Sequence, residues 1–286
     1  MIHCPPIHFN GEGGTMAYTT HAPQLVSMQL ERDVALVTID DPPLNLLSRA
    51  TKAKLRDMFL ALTNRSDIRA VILRGSGTRA FSAGADIREF PQRILEGDAE
   101  QVAREGHQLI AAIANCGKPT VALVDGVAYG AGLEVALAAD LRFATERASF
   151  ALPEVTRGVF PGNGGTQLLP RIIGPARALE LMFTAKPIDA TEAHRIGLVN
   201  RVLASDSAQS EALGFAHHLA SLPATAISSI RRLVRTAVEE PLVTGLDLEA
   251  QLFGEVFRTE AVKEGVNAFR EKRSPDFKRT EQPSFP

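Results

Sequence analysis

Thr120-Val-Ala-Leu-Val-Asp-Gly-Val-Ala-Tyr-Gly-Ala-Gly-Leu-Glu134 contains the unit from which the chain is built. An apolar, β-branched run stops at Asp125-Gly126, small residues follow, and a helix is expected to begin near Ala131. The same succession recurs. Val34-Ala-Leu-Val-Thr-Ile39 closes on Asp40-Asp-Pro-Pro43, and Ala70-Val-Ile-Leu-Arg74 closes on Gly75-Ser-Gly77. Asp140-Leu-Arg-Phe-Ala144 supplies a fourth strand. Leu55, Met58, Phe59 and Leu62 have helical spacing within residues 48–63, and a second long helix is expected over 98–115. Strands that are continuous apolar runs belong to sheets covered on both faces, so the fold class is α/β. Strand, glycine turn and helix in repetition fit either a doubly wound sheet or a coiled stack of turns. Periodicity does not choose between them.

From about Ala204 the pattern is helical only. Phe215, Leu219 and Leu222 form one apolar stripe, and Ile227, Ile230, Leu233 and Val234 a second. Leu246, Leu248, Leu252, Phe253 and Val256 form a third. Terminal helices of this kind pack either within the chain or on a neighbouring subunit. Three regions are therefore expected: a mobile tail over 1–22, a catalytic core over 23–203 and a helical region over 204–286. Met16 is a second candidate start.

The 286 residues, 45% hydrophobic and 22% charged, describe an ordinary globular chain. A formal net charge of −2 gives no global reason to expect nucleic-acid or membrane partners. The two cysteines, Cys4 and Cys116, form neither a disulfide framework nor a metal-ligand spacing, so no metal is expected. No apolar run approaches the ~20 residues that span a bilayer. No Lys or Arg precedes Arg32, so neither a basic secretory leader nor an Arg-rich transit peptide is expected. A cytoplasmic location is the expectation.

Three segments carry candidate chemistry. Ala80-Phe-Ser-Ala-Gly-Ala-Asp-Ile87 is a small-residue turn whose main-chain N–H groups suit a developing negative oxygen; a tight turn capped by Asp86 explains it equally well. The turn before Glu134 has glycines at 126, 130 and 132, which is neither a dinucleotide fingerprint nor a P-loop. Close helix packing with Glu134 in a salt bridge is its structural alternative. In Ser149-Phe-Ala-Leu-Pro-Glu-Val-Thr-Arg-Gly-Val-Phe-Pro-Gly-Asn-Gly-Gly-Thr166, Pro153 is expected to hold an extended approach to Glu154. Gly162, Gly164 and Gly165 open the next helix, and a surface pair of Glu154 with Arg157 is the structural alternative. Carboxylates among apolar residues are uncommon, because burying a charge is costly. Two of them near two such turns suggest a paired acid and base.

These motifs resemble the crotonase superfamily, and the enoyl-CoA hydratases in particular. The similarity runs from about Val26 to Lys278 and includes Ala185-Lys-Pro-Ile-Asp-Ala-Thr-Glu-Ala193, Gly197-Leu-Val199 and Ala268-Phe-Arg-Glu-Lys-Arg-Ser-Pro-Asp-Phe-Lys278. The resemblance implies a crotonase-like spiral of ββα turns with a C-terminal helical oligomerisation region, assembled as homotrimers or homohexamers. It implies an acyl-CoA thioester substrate whose oxygen is held by the N–H groups of Ala85 and Ala131, where many relatives have glycine in place of Ala131. Glu134 is then expected to activate water at the β-carbon, and Glu154 to protonate the α-carbon. Coenzyme A belongs to the substrate, and no cofactor is implied.

Ala83, Gly84, Ala85, Asp86, Ile87 and Arg88 match the family's stretch that contacts the thioester and CoA. Arg79 is a candidate for the CoA phosphates, with Lys118, Arg270 and Lys278 as weaker ones. Phe90 and Ile94, within residues 87–95, are expected either to shorten the acyl pocket or to pack in the core. The alternatives are another CoA-thioester reaction on the same scaffold (isomerase, decarboxylase or hydrolase) and, more remotely, an RNA-binding protein. For the latter, Glu96-Gly-Asp-Ala-Glu-Gln-Val-Ala-Arg-Glu-Gly-His107 is more acidic than basic.

Overall fold

The continuous apolar strands are sorted into two sheets by the turns that interrupt them. The computed structural model describes residues 24–280; the tail expected over 1–22, with Cys4 and Met16, lies outside the described residues. The strands are β1 (Leu25–Glu31), β2 (Val34–Asp40), β3 (Ala70–Gly75), β4 (Ala80–Ser82), β5 (Thr120–Val124), β6 (Val127–Tyr129), β7 (Leu141–Thr145), β8 (Ser149–Ala151), β9 (Ile188–Asp189) and β10 (Arg201–Leu203). One sheet has the order β1-β2-β3-β5-β7-β10, and the other the order β4-β6-β8-β9.

Consecutive strands thus alternate between sheets: β3 then β4, β5 then β6, β7 then β8. Each turn of chain adds one strand to each sheet and returns through helices. That is a coiled stack, and it excludes the doubly wound alternative. Apart from the antiparallel β1–β2 hairpin, the larger sheet is parallel.

The helices within the coil are α1 (Arg49–Thr63), α2 (Phe90–Glu96), α3 (Ala99–Ala114), α4 (Ala131–Leu137), α5 (Gly165–Ile173), α6 (Pro175–Thr184) and α7 (Ala190–Arg195). Ser48 caps α1 by accepting from the Thr51 N–H. After β10 come α8 (Ala208–Ser221), α9 (Ala224–Glu239), α10 (Leu242–Val256), α11 (Glu260–Glu271) and α12 (Phe277–Thr280).

Alternate residues of one strand serve different cores. Val34 and Leu36 face a cluster with Ile72, Val121, Leu123 and Phe143, whereas Ala35, Val37 and Ile39 join the cluster shared by Leu55, Phe59, Leu133 and Phe150. Both faces of the large sheet are therefore buried, as the uninterrupted hydrophobicity requires. On the outer face the buried stripe of α8 is Ala208, Ala212, Ala216 and Ala220. The expected stripe of Phe215, Leu219 and Leu222 flanks it instead; methyl side chains let the helix approach the sheet closely, leaving the larger residues at the margin.

Asp140 precedes β7 and acts as an acceptor, not a strand residue. It takes the Thr120 N–H at 2.8 Å and ion pairs from Arg231 at 2.7 Å and Arg235 at 3.1 Å, tying α9 to the coil. Pro153 also departs from expectation. Its ψ of 10° starts a 3₁₀ turn over Glu154–Arg157 in place of an extended approach, and Gly158 closes that turn in the left-handed region.

A fully buried asparagine sets the loop before α1. Asn45 Nδ2 donates to Ser76 O at 2.9 Å and Ala80 O at 2.7 Å, while its Oδ1 accepts the Asp41 N–H at 3.2 Å. Leu47, two residues on, bridges to Ala85. Asn45→Ala strands these buried groups and is expected to cost about 2–4 kcal/mol in urea unfolding. A cost within 0.5 kcal/mol of zero, roughly the spread of surface substitutions, would refute this anchoring role.

Candidate active site

The turn after β4 and the turn after β6 meet backbone to backbone. Gly84 has φ of +107°, and a Cβ on it would stand 2.8 Å from Tyr129 O and 3.6 Å from Ala131 N. Gly132 lies over β4 in the same way: a Cβ there would be 2.2 Å from Ser82 O. Only hydrogen fits at either position. The Gly84 carbonyl accepts from Leu47 N–H at 2.9 Å, and Gly84 N–H donates to Ser82 Oγ at 3.2 Å. The N–H groups of Ala85 and Ala131 have no acceptor among the described residues. Two free main-chain donors thus flank one small space, suited to a carbonyl oxygen that gains negative charge.

Glu134 is one turn into α4 and fully buried. Its Oε1 accepts the N–H groups of Asn163 and Gly165, both at 2.8 Å, and its Oε2 accepts Asn163 Nδ2 at 2.7 Å. These bonds come from the glycine-rich entry to α5, and the salt bridge considered from sequence is not what holds this carboxylate. Burial pushes the Glu134 carboxyl above the usual range, against the pull of those donors.

Glu154 is half-buried at the start of its 3₁₀ turn. Its Oε1 would lie 2.9 Å from a Cβ on Gly130, whose carbonyl accepts the Glu134 N–H at 3.0 Å. The Glu154 carboxylate thus lies against the turn from which α4 carries Glu134, close enough to feel the Glu134 charge. Glu154 Oε2 is buried with no hydrogen-bond partner among the described residues, and Arg157 donates instead to Pro153 O at 3.5 Å. Burial, with the Glu134 charge adding, pushes the Glu154 carboxyl up to about 7.

The remaining candidates divide. Ala83 N–H donates to Leu44 O at 2.9 Å. Asp86 is buried, accepts the Arg88 N–H at 3.0 Å and pairs with the exposed Arg88 guanidinium at 2.8 Å. That bond to Arg88 holds the Asp86 carboxyl below its ordinary value. Ile87 is exposed beside them.

Arg79 is not brought to the glutamates. It sits exposed at the start of β4, the end opposite the Gly84 turn, with its carbonyl accepting the Val127 N–H at 3.2 Å. Lys118 is buried and donates to Thr63 O at 3.0 Å, and Lys278 is paired with Asp33. Arg270 is exposed on α11. Neither Phe90 nor Ile94 enters the core: α2 buries no residue, and Ile94 is 78% exposed.

Sequence reasoning gave no role to Asn163, although it lies within the quoted Pro-Gly-Asn-Gly-Gly run. A polar residue among glycines at a helix entry was its signal.

The family model described as Enoyl-CoA hydratase/isomerase matches residues 29–280. A probable enoyl-CoA hydratase of Bacillus subtilis is 39% identical, over 88% of this chain and 98% of its own length. A crotonyl-CoA hydratase of Syntrophomonas wolfei is 37% identical, over 88% and 97%. The crystal structure of an enoyl-CoA hydratase from Bacillus anthracis superposes with a TM-score of 0.84 at 34% identity, covering 88% of this chain and 98% of that one.

The raised Glu154 pKa has a definite sign in stability. Its ordinary value of 4.5 lies below the folded value of about 7, so between them the unfolded chain releases a proton that the folded chain keeps. Stability is lost as pH rises through that window. Glu154→Gln is expected to stabilise the fold by about 1–2 kcal/mol near pH 8, after discounting for solvent screening, and to change little near pH 4. Urea unfolding at the two pH values checks this, and equal effects at both would contradict it.

Proposed function

The chain belongs to the enoyl-CoA hydratase/isomerase family, and we propose that it adds water reversibly to a 2-enoyl-CoA thioester, giving a 3-hydroxyacyl-CoA. The observation that carries this reading is the convergence of Glu134 and Glu154 beside the free N–H groups of Ala85 and Ala131.

In the hydration direction, ionised Glu134 takes a proton from water as the water oxygen bonds to the β-carbon. The electron pair of the double bond moves toward the thioester carbonyl, whose oxygen becomes enolate-like and is held by the two N–H groups. Protonated Glu154 then delivers its proton to the α-carbon. The pair finishes with Glu134 protonated and Glu154 ionised, and proton exchange with solvent restores it. The carboxyl environments differ in the sense the roles need: three donors stabilise the ionised form of Glu134 against its burial, while the unpartnered Glu154 oxygen favours the protonated form. Main-chain donors of this kind contribute about 2.7–4 kcal/mol each to transition-state stabilisation. Every step uses this chain's own groups, with coenzyme A as part of the substrate.

Ala83 to Arg88 line the turn on which the thioester would lie, with Asp86 and Arg88 locked as a pair. Arg79 is retained only as a distant phosphate contact. Assembly as a trimer or hexamer is supported by large apolar side chains left exposed on the terminal helices, including Ile230, Val234, Phe253, Phe257 and Phe269. Among the described residues no helix is long and apolar enough to cross a membrane; a cytoplasmic setting accords with that and with the chain's composition.

Loss of the conjugated enoyl-thioester absorbance with crotonyl-CoA, extended to longer enoyl-CoAs, tests the reaction. Glu134→Gln and Glu154→Gln are each expected to lower kcat by about 10²–10⁴-fold. Wild-type rates in both would end the acid–base reading. Because Glu154 must be protonated, kcat/KM for hydration is expected to fall as pH rises above about 7, by about tenfold per unit. A profile flat to pH 9 or so would show that another group donates the proton.

A further inference from the structure

Helix α1 presents a buried stripe of Lys52, Leu55, Phe59 and Leu62. The spacing is that of an apolar face, yet its first member is a lysine only 4% exposed. Burying an ammonium is costly, and an apolar side chain at such a position commonly leaves a fold at least as stable. Among the described residues, the one acceptor its Nζ reaches is Asn163 Oδ1, at 3.4 Å. That oxygen belongs to the carboxamide whose nitrogen supports Glu134.

A carboxamide has an acceptor end and a donor end. With Oδ1 toward the Lys52 ammonium, Nδ2 points at Glu134 Oε2, which it meets at 2.7 Å. Turned over, the carbonyl oxygen would face a carboxylate and the amino group would face an ammonium, so both contacts would be repulsive. The facing helix α3 places Gly106 there, where a Cβ would stand 2.1 Å from Asn163 Oδ1. Gly106 thus leaves room for the carboxamide oxygen, and Lys52 is the side chain that donates to it.

We propose that Lys52 is a positioning residue that holds the Asn163 carboxamide in the orientation supporting Glu134 and supplies positive charge favouring the ionised form of that glutamate. Its catalytic meaning rests on the hydratase reading above. The charged groups facing Lys52 are Arg93 of α2, Glu89 just before it, Glu105 of α3 and Glu134 of α4. Arg93 is already paired with Glu89, and Glu105 with Arg49. Glu134 is therefore the one of these carboxylates not already engaged by an arginine. Burial pulls the Lys52 amine below its ordinary value, but the charges of Glu89, Glu134 and Glu105 act against that.

The test is Lys52→Met in the full chain, with circular dichroism and thermal unfolding as fold controls. For crotonyl-CoA hydration, kcat is expected to fall about tenfold at neutral pH, KM to change less than about twofold, and the acid limb of kcat/KM to move up by about one pH unit. The effect should be strongly sub-additive with Asn163→Ala in a double-mutant cycle. If Lys52→Met does not fold, Lys52→Gln takes its place; it drops the charge, keeps an amide donor, and should show the same displacement of the acid limb.

Infrared titration of the Glu134 carboxyl band, identified by its loss in Glu134→Gln, follows the same ionisation without turnover and should shift upward in the Lys52 variant. Should the wild type fail to hydrate any enoyl-CoA, the hydratase reading falls, and this titration still decides the Lys52 proposal. An unmoved acid limb together with an unmoved band, or full additivity with Asn163→Ala, would overturn it.

Discussion

The contact on which the site depends is made without side chains. Gly84 packs against the Tyr129 carbonyl and Gly132 against the Ser82 carbonyl, at separations that exclude even a methyl group. Because β4 and β6 pair in parallel, the two turns leave the sheet at the same end and in the same direction. Their N–H groups then share one space by construction. The coil makes this possible: successive turns of chain place equivalent strand ends side by side, so a site assembled across two turns inherits the regularity of the sheet. Asn45 and the Leu47 bridge brace the Gly84 loop from the preceding turn.

The third turn of the coil adds Glu154 through β8, and α4 adds Glu134. Their environments differ in one respect that decides their chemistry. Every hydrogen-bonding direction of Glu134 toward the α5 entry is used, whereas one Glu154 oxygen is buried without a partner. Two carboxyl groups in one apolar setting would otherwise titrate alike and repel each other. Unequal partners distinguish them: three donors pull the Glu134 carboxyl back against its burial, while Glu154 keeps a proton near neutrality. The cost appears as stability withheld above the ordinary carboxylate range, a common feature of functional sites.

Much of this was legible in the sequence. The strand boundaries at Asp40, Gly75 and Asp125 and the helix start at Ala131 are local events, set by residues within a few positions of the break. The choice between a doubly wound sheet and a coil was not local. It depends on which sheet each short strand joins, and β4, β6 and β8 are only three residues long, too short to carry a period. The resemblance supplied what the period did not. Arg79, near the Gly84 turn in sequence, is carried by β4 to the other end of the strand, a separation that sequence distance does not show. On α8 the large residues drew attention, while small ones made the contact with the sheet.

Asn163 and Lys52 illustrate a different kind of legibility. Their meeting joins α1 to the α5 entry across more than a hundred residues, so no local rule pairs them. Yet each breaks a local rule where it stands. Asn163 is the polar member of a glycine run, and Lys52 is the charged member of an apolar stripe. A sequence that agrees with its fold at every level has no need of either. When a buried helix face carries a lysine whose ammonium reaches a single distant acceptor, packing does not account for the residue. The electrostatics of the neighbouring carboxylate does. The pattern that specifies the core therefore also marks, by its one charged exception on α1, the direction in which the reactive group lies.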